Sequence, residues 1–354
     1  MIINRIYREK LHEIIISPST SLSEALRRLD QNELKIILVE DQEQKLVGTV
    51  TDGDVRRGLI KGFTLDTNIE QFMNKNFFFV QNETSQNDVK NQLIEANIIA
   101  IPEISLYDGS TTSLYTAKSQ ESSGRIPNVA IIMAGGLGKR MKAHTAEIPK
   151  PLLRVGNSTL IDHVIEQCIA AGIRKFYISV NYLKEQIIDH LGDGSHRNIE
   201  IKYLIENQRL GTAGSLSLLN EVIEDPFIVL NADVLHRTEL REFIKFHNSE
   251  KAFATVGARH YENQIPFGVL RINDGEIQQI IEKPVETHLV NAGIYVFDPE
   301  ILQFVPKETL FDMPDLLEIL IKESKKVVPF PVHEYWLDVG NPENLLLANL
   351  EWKK

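Results

Sequence analysis

The sequence predicts an α/β protein in which a doubly wound mixed sheet follows a smaller α+β module. Two observations lead to this prediction. From residue 129 onward, short apolar runs alternate with amphipathic helical patterns, as they do in βαβ units. Before residue 120, a smaller unit of one helix with strands occurs twice, about 64 residues apart.

The smaller module begins with a helical pattern. The spacing of Leu22, Ala25, Leu26 and Leu29 predicts a helix over residues 19–29 with one apolar face. The other elements predicted for this module are strands at 35–39, 46–50 and 98–102, a helix from 51–54 onward and a helix over 88–96.

A composition change separates the two parts of the chain. Residues 108–126 are rich in Ser, Thr and Gly and poor in large apolar side chains, which is typical of a linker. We therefore expect one domain over residues 1–120, a linker over 121–126 and a second domain over 127–354.

Composition also limits the possible partners. The net charge is −11, without the basic face that a nucleic-acid-binding protein usually shows. This charge does not exclude an anionic substrate, because phosphate sites depend on local cations. The single cysteine, Cys168, allows neither an internal disulfide nor a thiolate metal cluster. No signal peptide or membrane span is expected, and the predicted setting is a reducing cytoplasm.

The second domain reads as alternating strands and helices. Strands are predicted at residues 129–134, 175–180, 199–205, 226–230, 266–269 and 294–297, and helices at 158–171, 184–191, 213–223 and 341–352. Because ligands of doubly wound sheets bind beyond the carboxyl ends of the strands, the candidate site is expected at that edge.

The loop after the first of these strands predicts a polyphosphate site. It contains three glycines and two cations, Gly135, Gly136, Gly138, Lys139 and Arg140. Glycines let backbone N–H groups approach an anion closely. A third cation, Lys150, follows between two prolines. The spacing fits neither the G-x-G-x-x-G fingerprint nor the G-x-x-x-x-G-K-[ST] loop, and a plain turn with solvated charges is the alternative.

A carboxylate follows another buried strand. Asp233 comes after the apolar run at residues 227–230, so it should lie at the same sheet edge as the glycine loop. Mg²⁺ prefers such oxygen ligands together with substrate phosphates, although Asp233 could instead cap a helix at Thr238. The histidines show no metal-ligand spacing, and no G-x-S-x-G elbow suggests a hydrolase.

The strings AGGLGKRM and PKPLL, at residues 134–141 and 149–153, resemble the signature of the sugar-phosphate nucleotidyltransferases. This family usually has Thr or Ser where this chain has Lys139, which leaves the role of that position open. The resemblance continues through five ordered motifs over residues 127–352. It implies a Rossmann-like nucleotidyltransferase fold for the second domain.

The resemblance also implies roles for single residues. The W-x-D-x-G segment at 336–340 would supply Asp338 as a second Mg²⁺ ligand, or Asp338 could cap the helix that follows. The string LGTAG at 210–214 is typical of the guanylyl branch, with a helix cap at Thr212 as the alternative. The implied nucleotide-binding residues are Ala134, Gly135, Gly136, Gly138, Lys139, Gly211 and Thr212. The implied sugar-binding residues are Gly268, Glu282 and Asn291, and the implied catalytic cations are Arg140, Lys150 and Lys283.

The expected reaction is transfer of a nucleotidyl group from a nucleoside triphosphate, with GTP favoured, to a sugar 1-phosphate with release of pyrophosphate. It requires positioning and charge neutralisation, without covalent work by the protein. Because two phosphates approach each other, loss of Lys150 is expected to raise the barrier by about 3 kcal/mol or more. Loss of Asp233 is expected to abolish metal-dependent turnover.

In the smaller module, VGTVTDGDVRRGL at residues 47–59 resembles the core motif of CBS domains, which work in pairs, commonly dimerise and often bind adenine nucleotides. The resemblance implies that Thr51 and Asp54 hold a ribose, and a helix N-cap is the alternative. The second repeat lacks a second T-x-x-D pattern, so the module could instead serve only dimerisation or interaction with a partner.

A CBS pair joined to an LGTAG enzyme is similar to guanylyltransferases that activate glucosamine 1-phosphate for bacterial nonulosonate pathways. Mannose 1-phosphate, or a uridylyl or thymidylyl enzyme of the same fold, is the alternative. A catalytically silent nucleotide sensor is the alternative from another class of protein.

Overall fold

The computed structural model of the protein describes residues 2–32, 34–96, 98–118, 124–136, 138–141 and 145–352, without the side chains of Ile2, Lys118 and Lys139. The chain divides into two compact units, Met1–Gly124 and Arg125–Lys354. No helix among these residues is both long and apolar enough to cross a bilayer.

The first unit contains seven described strands and three described α-helices. The strands are β1 (Ile2–Tyr7), β2 (Ile15–Ile16), β3 (Ile36–Glu40), β4 (Leu46–Thr51), β5 (Val80–Gln81), β6 (Ala100–Ile104) and β7 (Thr111–Lys118). The helices are α1 (Leu22–Gln31), α2 (Asp52–Ile60) and α3 (Gln86–Glu95).

The predicted repeat is visible in the topology of this unit. One sheet has the order β2-β3-β4 and the other the order β1-β7-β6-β5. In each repeat a short strand, a helix and an antiparallel strand pair follow one another. The side chain of Ser21 caps α1, and Leu22, Ala25, Leu26 and Leu29 are buried, which confirms the predicted apolar face.

The composition at residues 108–126 was misleading. Thr111–Lys118 is strand β7, which pairs with both β1 and β6, so it lies inside its sheet. Small hydroxyl side chains are tolerated there because backbone pairing on both edges and the buried Leu114 and Tyr115 stabilise the strand. Residues 119–123, which include part of the predicted linker, lie outside the described residues.

The second unit is larger. Its strands are β8 (Val129–Met133), β9 (Arg154–Val155), β10 (Ser158–Thr159), β11 (Lys175–Val180), β12 (Glu200–Ile205), β13 (Phe227–Asn231), β14 (Val234–His236), β15 (Ala254–Gln264), β16 (Gly268–Asn273), β17 (Glu276–Glu282), β18 (Val285–Phe297), β19 (Val327–Pro331) and β20 (Trp336–Asp338). Its described α-helices are α4 (Leu160–Ala170), α5 (Lys184–Leu191), α6 (Gly211–Gly214), α7 (Leu240–Glu250), α8 (Met313–Lys322) and α9 (Pro342–Glu351).

A seven-stranded mixed sheet of order β12-β11-β8-β13-β18-β15-β19 forms the centre of this unit. The first four strands are parallel, and β18 is antiparallel to both of its neighbours. Alternate residues of β8 face two different cores: Ala130 and Ile132 pack with α4, α5 and α7, whereas Val129 and Ile131 pack with α8. Helices therefore cover both faces, and the predicted doubly wound mixed fold is confirmed.

Two predicted elements differ from the structure. The helix predicted over 213–223 is only α6, followed by a 3-10 turn at Ser215–Leu218. Its leucines pack into the core from this turn, and Gly214 lies close to the carbonyl of Thr309. The strand predicted at 266–269 begins at Gly268 and forms the exposed β16–β17 hairpin.

Candidate active site

The glycine loop leaves the sheet at the carboxyl end of β8. Ala134 donates its N–H to the Ser179 carbonyl of the neighbouring strand at 3.0 Å. A Cβ at Gly135 would lie 2.5 Å from a carboxylate oxygen of Glu206, so a larger residue there would displace this buried carboxylate. Gly138 has φ +59°, which also favours glycine. Leu137 and the side chain of Lys139 lie outside the described residues.

Glu206 was not predicted from the sequence, yet it connects two loops of the candidate site. Its carboxylate is buried, and one oxygen accepts a hydrogen bond from the Ser179 hydroxyl. The other oxygen accepts the N–H of Leu210 at 3.1 Å. One carboxylate thus lies between the glycine loop and the loop that contains LGTAG. Its position directly after β12 was the available signal.

The LGTAG loop is held by the segment that precedes α8. The N–H of Thr212 donates to Asp312 at 2.9 Å, and the Thr212 hydroxyl accepts the N–H of Met313 at 2.8 Å. Gly211 has φ +81°, and a Cβ there would lie 2.6 Å from the Phe311 carbonyl. Thr212 therefore interacts with the start of α8, and these contacts fix the shape of the LGTAG loop.

Strand pairing brings the two predicted metal ligands together. Strand β14 begins one residue after Asp233, and it pairs antiparallel with β20, which ends at Asp338. The N–H of Val339 donates to the carbonyl of Asp233 at 3.0 Å. The two aspartates are 105 positions apart in sequence (338 − 233) but are adjacent at the sheet edge that carries the glycine loop.

The electrostatics of this carboxylate pair favour a cation. The Lys150 ammonium donates a hydrogen bond to Asp233 and lies 3.9 Å from Asp338 Oδ1. That oxygen is buried and has no hydrogen-bond partner among the described residues. Burial, and then the charge of Asp233, raise the pKa of Asp338, while Lys150 and Arg140 oppose that rise. Two adjacent carboxylates, one with an oxygen that lacks a hydrogen-bond partner among the described residues, fit a hard divalent ion such as Mg²⁺.

Arg140 reaches the same pair from the glycine loop. Its guanidinium Nη2 lies 3.9 Å from Asp338 Oδ2 and is largely exposed. A Cβ at Gly340 would lie 3.2 Å from the guanidinium carbon and 3.1 Å from Asp338. Gly340, the last residue of the W-x-D-x-G segment, therefore leaves room for Arg140 beside the carboxylate.

The residues expected to contact the sugar lie on β16, β17 and β18. Gly268 pairs with Glu282 in the exposed hairpin, and Lys283 follows with φ +45°. Asn291 accepts the N–H of Gly293 at 3.0 Å. A Cβ at Gly293 would lie 2.6 Å from the amide of Asn231, two residues before Asp233. Asn291 thus lies near the end of β13, the strand that leads to Asp233, whereas Glu282 and Lys283 lie at the end of the hairpin.

In the first unit, Thr51 and Asp54 form a capping box at the start of α2. One oxygen of Asp54 accepts the N–H and the hydroxyl of Thr51, and the other accepts a hydrogen bond from Arg57 at 2.8 Å. These contacts are those of a helix cap, which was the alternative interpretation of Thr51 and Asp54.

Comparison with known families gives two matches. Residues 129–354 match the model of the nucleotidyl transferase family. Residues 10–61, which include the first of the two repeats, match the CBS domain model.

Similar proteins were found among curated sequences and solved structures. Mannose-1-phosphate guanyltransferases of Yarrowia lipolytica and Candida albicans are each 33% identical over 225 residues, covering 61% of this chain and 61% and 62% of theirs. The chain thus spans about 61% of the length of these relatives. A putative glucose-1-phosphate thymidylyltransferase from Bacillus anthracis superposes with a TM-score of 0.53 at 23% identity, over 62% of this chain and 93% of its own. HddC from Yersinia pseudotuberculosis gives a TM-score of 0.50 at 26% identity, over 64% of this chain and 100% of its own.

Proposed function

The chain belongs to the nucleotidyl transferase family and carries a CBS domain. We propose that it transfers a guanylyl group from GTP to a hexose 1-phosphate. The observation that carries the proposal is the Asp233–Asp338 pair, which lies with Lys150 and Arg140 beside the glycine loop. Phosphoryl transfer requires groups that position the phosphates and neutralise their charge. The glycine loop, the carboxylate pair and the two cations could provide these groups.

In the proposed reaction, the sugar phosphate attacks the α-phosphorus of the nucleotide in line and pyrophosphate leaves. The N–H groups of the glycine loop and the exposed Arg140 guanidinium bind the triphosphate and stabilise the leaving group. Lys150 reduces the repulsion between the two phosphates, and Lys283 supplies a further positive charge from the hairpin. Asp233 and Asp338 would hold Mg²⁺, which when bound neutralises phosphate oxygens and orients the two reactants.

The choice of substrates rests on two kinds of support. The LGTAG loop and the similarity to fungal mannose-1-phosphate guanyltransferases favour GTP. That similarity favours mannose 1-phosphate as the acceptor, whereas the resemblance to CBS-linked guanylyltransferases favours glucosamine 1-phosphate. We propose that Gly268, Glu282 and Asn291 contact the hexose, and that residues 127–354 form the catalytic domain.

The test is pyrophosphate release with Mg²⁺ from GTP, UTP, dTTP, CTP and ATP, each combined with mannose, glucosamine and glucose 1-phosphates. A strong signal with GTP and one sugar supports the proposal and identifies the product. A signal with another nucleotide keeps the reaction and rejects the guanylyl assignment. Absence of release in every combination contradicts the proposal and favours a catalytically silent nucleotide sensor.

We further propose that the first unit is a regulatory or dimerising module that binds an adenine nucleotide near Thr51 and Asp54. Because the capping box already uses both side chains, binding would have to preserve or replace these hydrogen bonds. Equilibrium dialysis with labelled ATP and AMP tests the ligand, and sedimentation tests the dimer.

A further inference from the structure

The Lys150 side chain lies where a cation bound by both carboxylates would be expected. Its ammonium is hydrogen-bonded to Asp233 Oδ2 and within ion-pair distance of Asp338 Oδ1. The side chain is only 9% exposed, so water contributes little to its solvation. The two carboxylates therefore provide most of the compensation for this buried charge.

The local backbone favours this position of Lys150. Lys150 lies between two prolines and is the first residue of the 3-10 turn Lys150–Leu152. The N–H of Leu153 donates to the Lys150 carbonyl at 3.0 Å. Pro149 and Pro151 each fix a backbone φ angle, which constrains the backbone from which the Lys150 side chain extends. The backbone at Lys150 is thus constrained, whereas the ammonium is held at the carboxylate pair by charge.

The charge balance at the pair is incomplete. Two carboxylates face one buried ammonium, and the second cation, Arg140, is 74% exposed and 3.9 Å from Asp338. Asp338 Oδ1 has no hydrogen-bond partner among the described residues. A divalent ion would balance both carboxylates, but Lys150 already uses one oxygen of Asp233. Ion and ammonium therefore compete for the same ligand.

Building on the proposed function, we propose that Lys150 acts as a placeholder cation in the substrate-free protein. A nucleoside triphosphate provides alternative acceptors for the ammonium, so Lys150 moves from Asp233 to a phosphate as the divalent ion binds. Ion and nucleotide then bind together, and the ion alone binds weakly. Lys150 is in this sense a positioning residue for the metal site in addition to its proposed role at the phosphates.

The test measures Mn²⁺ binding to the full chain without nucleotide, from the electron paramagnetic resonance signal of free Mn²⁺. Lys150→Met keeps the length of the side chain and removes its charge. Because the ammonium no longer competes for Asp233, this variant should bind Mn²⁺ at least about tenfold more tightly than the wild type. Lys175→Met is the matched control, since Lys175 is also paired with a carboxylate, Glu221, which keeps Lys202 as a partner.

A second measurement repeats the titration with a non-hydrolysable GTP analogue. After subtraction of the Mn²⁺ that the analogue binds in solution, the gain in Mn²⁺ affinity should be at least about tenfold larger for the wild type than for Lys150→Met. The phosphates add ligands in both proteins, but only in the wild type does the analogue also draw a competing charge away from Asp233. Equal Mn²⁺ affinities of wild type and folded Lys150→Met without nucleotide would overturn the placeholder role. If Lys150→Met does not fold, Lys150→Gln takes its place with the same expectation. No Mn²⁺ binding by any variant, with or without the analogue, would instead contradict the metal site of the proposed function.

Discussion

At the scale of single residues, the candidate site depends on a small number of charged side chains that pairing brings together. Lys150 and Asp233 are 83 positions apart, and the pairing of β14 with β20 adds Asp338. Each of the three changes the charge environment of the other two, so substitutions among them should not act additively.

Asp233→Asn tests the proposed metal ligand. The amide keeps the shape of the side chain but removes the charge that binds a divalent ion and pairs with Lys150. Turnover should fall by about 100-fold or more, as for other losses of transition-state charge stabilisation. Asp189→Asn on the exposed face of α5 is the control. A folded Asp233→Asn protein with turnover within tenfold of wild type would reject this assignment.

Glu206→Gln tests the connection between the two nucleotide loops. Glutamine can accept the Leu210 N–H with its one oxygen and donate its NH2 group to the Ser179 hydroxyl, so two hydrogen bonds to a charged acceptor become neutral ones. We expect this to cost about 1–2 kcal/mol of unfolding free energy. Because the loops are proposed to hold the nucleotide, KM for the nucleotide should rise more than KM for the sugar phosphate. Ser179→Ala removes one donor and should have the smaller effect. Equal changes in both KM values would indicate a purely structural role.

The sequence allowed some of these residues to be predicted because strand ends are marked by apolar runs. Asp233 follows such a run, and the position of the glycine loop follows from the same argument. Glu206 follows the less uniform strand β12, and its importance depends on the closeness of Gly135, a contact between distant segments. Gly340 became significant only once Arg140 was seen to pack beside it.

At the scale of elements, short apolar strands and capped helices were predictable, whereas segments shaped by tertiary packing were not. Strand β11 and helix α5 have the predicted bounds. The helix prediction over 213–223 was wrong because the leucines there pack into the core from a 3-10 turn. Strand β7 was missed because a hydroxyl-rich strand has the composition of a linker. Local periodicity contains no information about these long-range contacts.

Gly211→Ala tests the fixed shape of the LGTAG loop. Alanine at φ +81° would be strained, and its Cβ would overlap the Phe311 carbonyl, so unfolding free energy should fall by about 3 kcal/mol. Displacement of the loop should also raise KM for GTP at least tenfold.

Gly275→Ala provides a matched control for this element. Gly275 has φ +82° in the β16–β17 turn, but nothing lies within 4 Å of its added Cβ. It should lose about 1 kcal/mol from the backbone conformation alone and leave KM for GTP unchanged. Similar losses in both variants would show that the contact with Phe311 has little effect.

At the scale of the whole molecule, acid should destabilise the second unit through buried histidines. His247 on α7 is 2% exposed, and its Nδ1 lies 2.8 Å from the Thr255 hydroxyl. Burial lowers the pKa of His247 to about 4, from the value of 6.5 expected for an unfolded chain. His236 is buried in the same way, and its pKa is also lowered to about 4.

The sign of the effect follows from proton binding. Between pH 6.5 and 4, the unfolded chain binds protons at these histidines and the folded chain does not, so stability falls as pH decreases. For His247 alone, the loss between pH 7.5 and 4.5 should be about 2–3 kcal/mol. The pKa of Asp162 is lowered to about 2: burial raises it, but hydrogen bonds from Thr159, His190 and Arg197 to the carboxylate outweigh that effect. Asp162 therefore adds to the loss of stability only at lower pH.

Urea unfolding at pH 7.5 and 4.5 measures this difference, with tryptophan fluorescence as the signal, because Trp336 and Trp352 both belong to the second unit. His247→Asn removes the titrating ring and should reduce the acid-induced loss of unfolding free energy by about 2–3 kcal/mol relative to wild type. His288→Asn, at an exposed position of β18, is the control and should lose as much as the wild type. If His247→Asn lost as much stability as the wild type over this range, burial of His247 would not be the source of the acid sensitivity.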